Sequence, residues 1–524
     1  MSTPAATVVA ILVLAAAGVV PVAVAVGPRW VVVPLAPLGG ALLAALAATA
    51  SLSVGAPLLA WFVGLAAGAA VVAVVHTVRS GPGPWAVARR HRGPWDRHRV
   101  AGLVGFVVVV AACAWSLRGL RSPTVGFDAR ALWVMRPGWF LQSHAQLLVD
   151  LRTRGLVLTQ SAYPPLVSAA TAVAWRVTGV HTARLGVTTV ALLNTCALAA
   201  AALALVECGR SAAERLARPV DGIDEIDEVD PVDGVVDGAD RKAPWAPMVV
   251  GVVAAGLVVA VAAGVCEPFL TNGYADPIWS LAAVGAAAYG LQSTDDRANR
   301  AATVVLVLVA GLSKNEGLVT ALALVALVAA RSIGVSGIRD DRRRWRVPLG
   351  VAAAEVAVLA WWPVAMHVIG ARGASSTFTT SNGAGSRMSA VVHGMSPYLH
   401  VLVLAVPLSV VGGLVLSAVR RRAGVGNDLW AWLALAVGLL AVGGALVTGT
   451  GAIVPWIRST VHRITEYPIL QAWWIVAVWA VVASSGIATG RTAPDPVTER
   501  SGRGPTVTGD GADRPSSAPA EVLA

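Results

Sequence analysis

Charge is what this sequence lacks most. Of its 524 residues only 13% are charged, against 56% hydrophobic, whereas soluble domains carry about 25% charged residues. That balance excludes an ordinary water-soluble domain. Cysteine is equally scarce. Cys113, Cys196, Cys208 and Cys266 are the four, three of them in or at the ends of apolar runs, and no CxxC pair occurs. Neither a disulfide framework nor a metal knuckle is suggested. HExxH, GxxxxGK[ST] and GxGxxG are missing too. That argues against a nucleotide cofactor and names no metal ligand set, though a divalent cation is left open. The strands of a membrane β-barrel would alternate apolar and polar residues, and no such alternation is seen. The first apolar run has no basic segment before it, so it reads as a span and not as a cleaved signal peptide.

What is present is solid Ala, Val and Leu. Runs near the length needed to cross a bilayer, about 18 residues or more, fall at about 5–26, 31–52, 55–78, 101–118, 183–206, 246–266, 277–292, 301–313, 317–332, 347–370, 397–418, 428–449 and 469–488. The expected fold is an all-α polytopic membrane protein of about 13 transmembrane helices. The net charge of +11 comes from arginines clustered between spans, which fits the excess of basic residues on the cytoplasmic side of membrane proteins better than a nucleic-acid partner.

The basic loops give a topology. "RSGPGPWAVARRHRGPWDRHR" (79–99), "RDDRRRWR" (339–346), "RRR" (420–422) and the tail after about 489 fall inside. A stretch at 207–245, with the acidic "DGIDEIDEVDPVDGVVDGAD" (221–240) flanked by Arg and Lys, is a cytoplasmic insert, because acids weigh little in orientation. The run at 163–180 is short and carries Arg176. If 183–206 enters from outside, 163–180 is a helix lying along the outer interface. Segments 119–182, 267–276, 371–396 and 450–468, with the "SKNEG" turn (313–317), then face outward. The chain divides into N-terminal spans and a basic loop (1–100), a membrane core (101–332), C-terminal spans (333–490) and a Gly-, Pro- and Ser-rich tail (491–524).

On this topology the polar residues at span ends gather on one side. They are Asp128 in "GFDARALWVMRPGWF" (126–140), Asp276 in "TNGYADPIW" (271–279), Lys314 and Glu316 in "GLSKNEGL" (311–318), and Arg463 with Glu466 in "STVHRITEYP" (459–468). Charge at a span end is costly and often functional. Each also has a plain explanation. Asp128 caps a helix, Asp276 precedes a helix-starting proline, Lys314 snorkels to the interface, and Arg463 anchors there. Arg130 pairs with Asp128 or meets phosphate, while Arg136 anchors at headgroups.

A carboxylate just after a span, a long outer loop with "YPPL" (163–166), "YAD" before a span and a "KNEG" turn between two spans together resemble the GT-C glycosyltransferases. The protein O-mannosyltransferase and aminoarabinose transferase group, in its actinobacterial forms, is nearest in pattern. The resemblance covers 101–332 best. It implies transfer of a sugar from a polyprenyl-phosphate donor to a glycan, lipid or protein acceptor hydroxyl outside the plasma membrane. It implies Asp128 as general base, Asp276 as a second catalytic acid and Lys314 as the lysine of the family's turn, with Tyr163 at the family's position before the two prolines. Beside it, the clustering of charge at one interface makes Arg130, Glu316 and Arg463 further candidate substrate-binding residues among membrane lipids, suited to an anionic headgroup. Tyr163 stands where many members have His or Lys, and "KNEG" replaces "KGP", which leaves phosphate recognition and any metal open. The competing expectation is a multi-span transporter or lipid flippase for a glycolipid or other anionic substrate.

Overall fold

The computed structural model describes residues 1–79, 97–121, 125–126, 129–153, 163–217, 246–267, 269–292, 297–336, 342–371, 389, 392–393, 411, 429–448 and 460–488. Asp128, most of the acidic insert, nearly all of the run at 397–418 and the tail lie outside these residues. Everything described is helix, turn or bend, with no strand.

In chain order the helices are α1 (Thr3–Val26), α2 (Val32–Val54), α3 (Leu58–Arg79), α4 (Arg97–Ser116), α5 (His144–Arg152), α6 (Leu166–Thr178) and α7 (Ala183–Ala217). There follow α8 (Ala246–Val265), α9 (Asp276–Ala287), α10 (Arg297–Ser313), α11 (Asn315–Ser336), α12 (Arg342–Ile369), α13 (Leu429–Thr448) and α14 (Glu466–Ala488). Among the described residues nine helical stretches are long and apolar enough to cross a membrane: 3–26, 32–54, 58–79, 100–121, 183–211, 246–265, 315–334, 345–369 and 460–481. That fits a multi-pass membrane protein. Each of the nine coincides with or overlaps a run expected from the sequence.

Two of the remaining expected crossings, 277–292 and 301–313, differ for physical reasons. The run at 277–292 is a 12-residue helix, α9, ending in a π turn at Ala288–Gln292. Together they make 17 continuous helical residues, some 25 Å at about 1.5 Å per residue, short of the roughly 30 Å of a hydrocarbon core. The run at 301–313 lies in the 17-residue α10, whose first turn carries Arg297 and Arg300. The run at 428–449 is the 20-residue α13, Leu429–Thr448, as long as α8. Helix α6, within the run at 163–180, has 13 residues, and every one from Leu166 to Trp175 is buried. It packs on α1, α2 and α7.

The centre of the bundle is α7 and α9. All twelve residues of α9 are buried, enclosed by α7, α10, α11 and α14. Small residues make such packing feasible, because without a hydrophobic drive between helices in lipid, association depends on close contact. The hairpin of α1 and α2 shows the limit. A Cβ on Gly40 would lie 1.9 Å from the carbonyl oxygen of Leu14, and one on Gly18 would lie 2.1 Å from that of Ala36. Only glycine fits at either place.

These first helices are part of the body. α2 packs on α6, α7 and α10. Arg29, in the α1–α2 turn, donates to Glu207 at 3.1 Å and to Asn299 at 2.9 Å.

Candidate functional site

The site forms where three helix ends meet. Asp276 is the first residue of α9, with Pro277 behind it, and its side chain makes no cap. Instead its Oδ1 takes the Lys314 ammonium at 2.5 Å. Lys314 is the single non-helical residue between α10 and α11, and its ammonium also lies 3.6 Å from Glu316 Oε1. Arg463, just before α14, brings Nη1 to 3.9 Å from Asp276 Oδ2 and lays its guanidinium 4.9 Å from the Tyr274 ring centre. Asp276, Lys314, Arg463 and Glu466 are all buried.

Local sequence explains the convergence. Asn194 on α7 donates its amide to the carbonyls of Leu270 and Tyr274, both at 3.1 Å, fixing the turn that leads into Asp276. Gly317 lets α11 begin against α10. A Cβ there would lie 2.2 Å from the Ala310 carbonyl oxygen and 2.9 Å from the Trp279 Cβ. The Leu318 amide then accepts its place in the helix by donating to the Lys314 carbonyl at 2.8 Å. The glycine of "KNEG" is therefore a packing requirement.

Electrostatics lock the pair. Burial alone would raise the Asp276 carboxyl, but Lys314 and Arg463 more than offset it and hold it below the usual carboxylate range. Burial works against the Lys314 charge, yet Asp276 and Glu316 raise its ammonium above the ordinary lysine value. Both groups stay ionised near neutrality. Lys314 is one of only two lysines in the chain, the other being Lys242.

Of the remaining residues expected at a site, Tyr163 joins this group. Its phenol is pushed up by burial and then by Glu316, and it also feels Lys314, Asp276 and Arg463. Its ring lies 5.6 Å from that of Trp133. Arg130 is exposed, and among the described residues no ion pair joins it to the cluster. Asp128 lies outside the described residues.

Two residues that the sequence places at the outer face without a catalytic or binding role stand out, and Arg136 is buried where a headgroup anchor was expected. Glu466, the first residue of α14, is fully buried beside the cluster, with the Cys266 thiol against its carboxyl. Three acids therefore face two bases. Arg136 is fully buried as well. Its Nη2 donates to the Tyr163 carbonyl at 2.7 Å, and its guanidinium lies 5.0 Å from the Trp139 ring and 6.0 Å from that of Trp362. Its Nε and Nη1 have no hydrogen-bond partner among the described residues. Further along α14, Gln471 is buried with neither end of its amide bonded. Buried polar groups in this state call for a specific explanation, such as a ligand.

No group of three or more His, Cys, Asp and Glu suited to a metal ion occurs among the described residues. Comparison with protein-family models, curated proteins and solved structures gives no match for this chain.

Proposed function

We propose that this chain is a membrane glycosyltransferase that moves a sugar from a polyprenyl-phosphate donor to an extracytoplasmic acceptor hydroxyl. The observation that carries the reading is the buried Asp276–Lys314–Glu316–Arg463 cluster, assembled from three helix ends in an apolar bundle. Charges inside a membrane protein are expensive and tend to be kept for function.

In the proposed reaction the acceptor O–H proton passes to a carboxylate, and the oxygen forms a bond to the anomeric carbon. The bond from that carbon to the phosphate oxygen breaks, and its electron pair leaves with the lipid phosphate. A single displacement inverts the configuration. The transition state has oxocarbenium character, for which carboxylates are the usual helpers. A positioned base contributes about 10²–10⁴-fold. Asp128 is the proposed base, with Asp276 beside the reacting centre.

The charge balance refines the roles of the cations. Lys314 is already neutralised by two acids, so it serves best to orient Asp276 and Glu316. Arg136 has no carboxylate within ion-pair distance among the described residues and stands behind Tyr163. It is the better candidate for the phosphate, since a guanidinium fork matches phosphate oxygens. Glu466 and Gln471 offer acceptors and donors to sugar hydroxyls.

One observation favours a transporter or flippase instead. α9 and α10 are shorter than a span and α9 ends in a π turn, and transporters place binding sites at broken helices. Transfer from radiolabelled polyprenyl-phosphate sugars, compared between wild type, Asp128→Asn and Asp276→Asn at equal protein level, separates the two. Transfer by wild type that collapses in the variants supports the enzyme. Substrate flux in proteoliposomes without transfer supports the transporter. Full transfer by both variants removes these carboxylates from the mechanism.

A further inference from the structure

A second polar feature lies at the far end of the bundle from Lys314. α10 runs from Arg297 to Ser313, about 25 Å at 1.5 Å per residue, so its first turn is well removed from the cluster. There α10, α11 and α12 line an open cavity of about 420 Å³. That lies within the roughly 300–1,000 Å³ of small-molecule sites. Arg297 and Arg300 stand at its mouth, Val304, Val328 and Val351 form its wall, and Glu355 lies deeper along α12. Both arginines are exposed.

We propose that this cavity binds one anionic membrane phospholipid, with the headgroup phosphate on Arg297 and Arg300 and an acyl chain along the valine wall. Three observations carry it. The mouth carries two guanidinium groups, Arg297 and Arg300, and Arg346 is exposed one residue before the lining Val347. Guanidinium groups pair with phosphate through a planar fork, and basic residues near a membrane surface help to hold anionic lipid. The wall beyond the arginines is mostly apolar, with Ala301, Val304 and Val307 on α10 facing Val325 and Val328 on α11 and Val351 and Ala352 on α12, which suits a hydrocarbon chain and offers a small free anion nothing. Glu355, two turns beyond Pro348 on α12, offers an anion no counter-charge, so the cations that line the cavity are Arg297 and Arg300 at its mouth. The inference is independent of the glycosyltransferase reading, since it uses none of the cluster residues.

The test is lipid retention by the full chain in detergent, read by native mass spectrometry with added phosphatidylglycerol or phosphatidylcholine. Wild type is expected to keep one phosphatidylglycerol in preference to phosphatidylcholine. R297Q/R300Q should weaken that binding by about tenfold or more. Ala352→Trp, which fills the cavity and leaves both arginines, should weaken it as well. Equal retention of the two lipids, or undiminished retention by R297Q/R300Q, overturns the proposal. Normal binding by Ala352→Trp shows a surface charge effect without the cavity and overturns it too. Full displacement by millimolar inorganic phosphate would identify a free-anion site and not a lipid site.

Discussion

Around Lys314, an ammonium 7% exposed meets a carboxylate 1% exposed at 2.5 Å. At the opposite end of the bundle, Arg29 at 27% exposure meets Glu207 at 12%, 3.1 Å apart, with Arg210 on the same carboxylate. Both groups tie together segments far apart in sequence. Their energetics differ because their surroundings do. A partly solvated pair contributes little net, since water competes for both ions. A buried pair has lost that water, so removing one partner strands the other charge. The first kind of contact can be traded for ordinary packing with small loss. The second persists in an apolar chain where a hydrophobic pair would serve stability as well, which is why it is the candidate site.

The sharpest way to break the comparison is Asp276→Asn. With Lys314 left buried and unpaired, destabilisation of about 3–5 kcal/mol is expected, read as a large fall in the detergent-solubilised melting temperature. Restoring neutrality with Asp276→Asn/Lys314→Met should recover much of that stability, because an apolar replacement of a buried pair is often neutral or better. Transfer activity should stay absent in the double variant. Recovery of both would reduce the cluster to a structural tie.

Next in size is Gly317→Ala. Its Cβ would meet the Ala310 carbonyl at 2.2 Å, so the start of α11 must shift. Overpacking of this kind costs about 1–3 kcal/mol, and it moves the backbone that carries Lys314. A loss of activity larger than the loss of stability implies is expected, measured as rate and melting temperature on the same preparation.

The cluster was legible for the reason that makes it costly. In a chain with so little charge, Asp276, Lys314, Glu316 and Arg463 stand out at the ends of apolar runs, and the fold joins all four. Lysine usage was a further signal, because arginine supplies almost every other cation. Arg136 and Glu466 were harder to weigh. Arg136 precedes Pro137 and Gly138 in a loop-like stretch where charge looks cheap. Only the fold wraps Trp139 and Trp362 around it. Glu466 sits in a polar segment before a span, and burial there depends on α8 and α9 closing over it. Helix positions were readable from apolar length wherever the runs were long. α6, α9 and α10 show the limit, since a short apolar run has the same composition whether it crosses lipid or is enclosed by other helices.

The pH response sharpens the contrast between the two ends. Asp276 is held below its ordinary value of 3.8, so its contribution is present above that value and is lost only as pH falls through the lower folded value. Lys314 is raised above 10.5, so its contribution is present below that value and is lost only as pH rises through the higher folded value. Between about pH 5 and 9, where neither group titrates in either state, the pair should leave the melting temperature flat. Asp276→Asn should remove the protection on the acid side. A wild-type stability limb centred inside that window and abolished by Asp276→Asn would contradict the locked pair.

The smallest effect should come from Glu207→Gln. Gln keeps an acceptor for Arg29 and Arg210 while removing the charge, and Arg29 retains its 2.9 Å bond to Asn299. Pairs exposed to this degree typically contribute about 0.2–1 kcal/mol, so a shift of a degree or two in melting temperature is expected, with transfer activity unchanged. Salt divides the two ends in the same way. Raising ionic strength should screen the Arg29–Glu207 contribution and bring wild type toward Glu207→Gln, whereas the difference between wild type and Asp276→Asn should hardly move, because buried charges are screened far less. If both differences shrank together in salt, the two ion pairs would share one solvated environment, and the burial that separates a structural tie from a site would be lost.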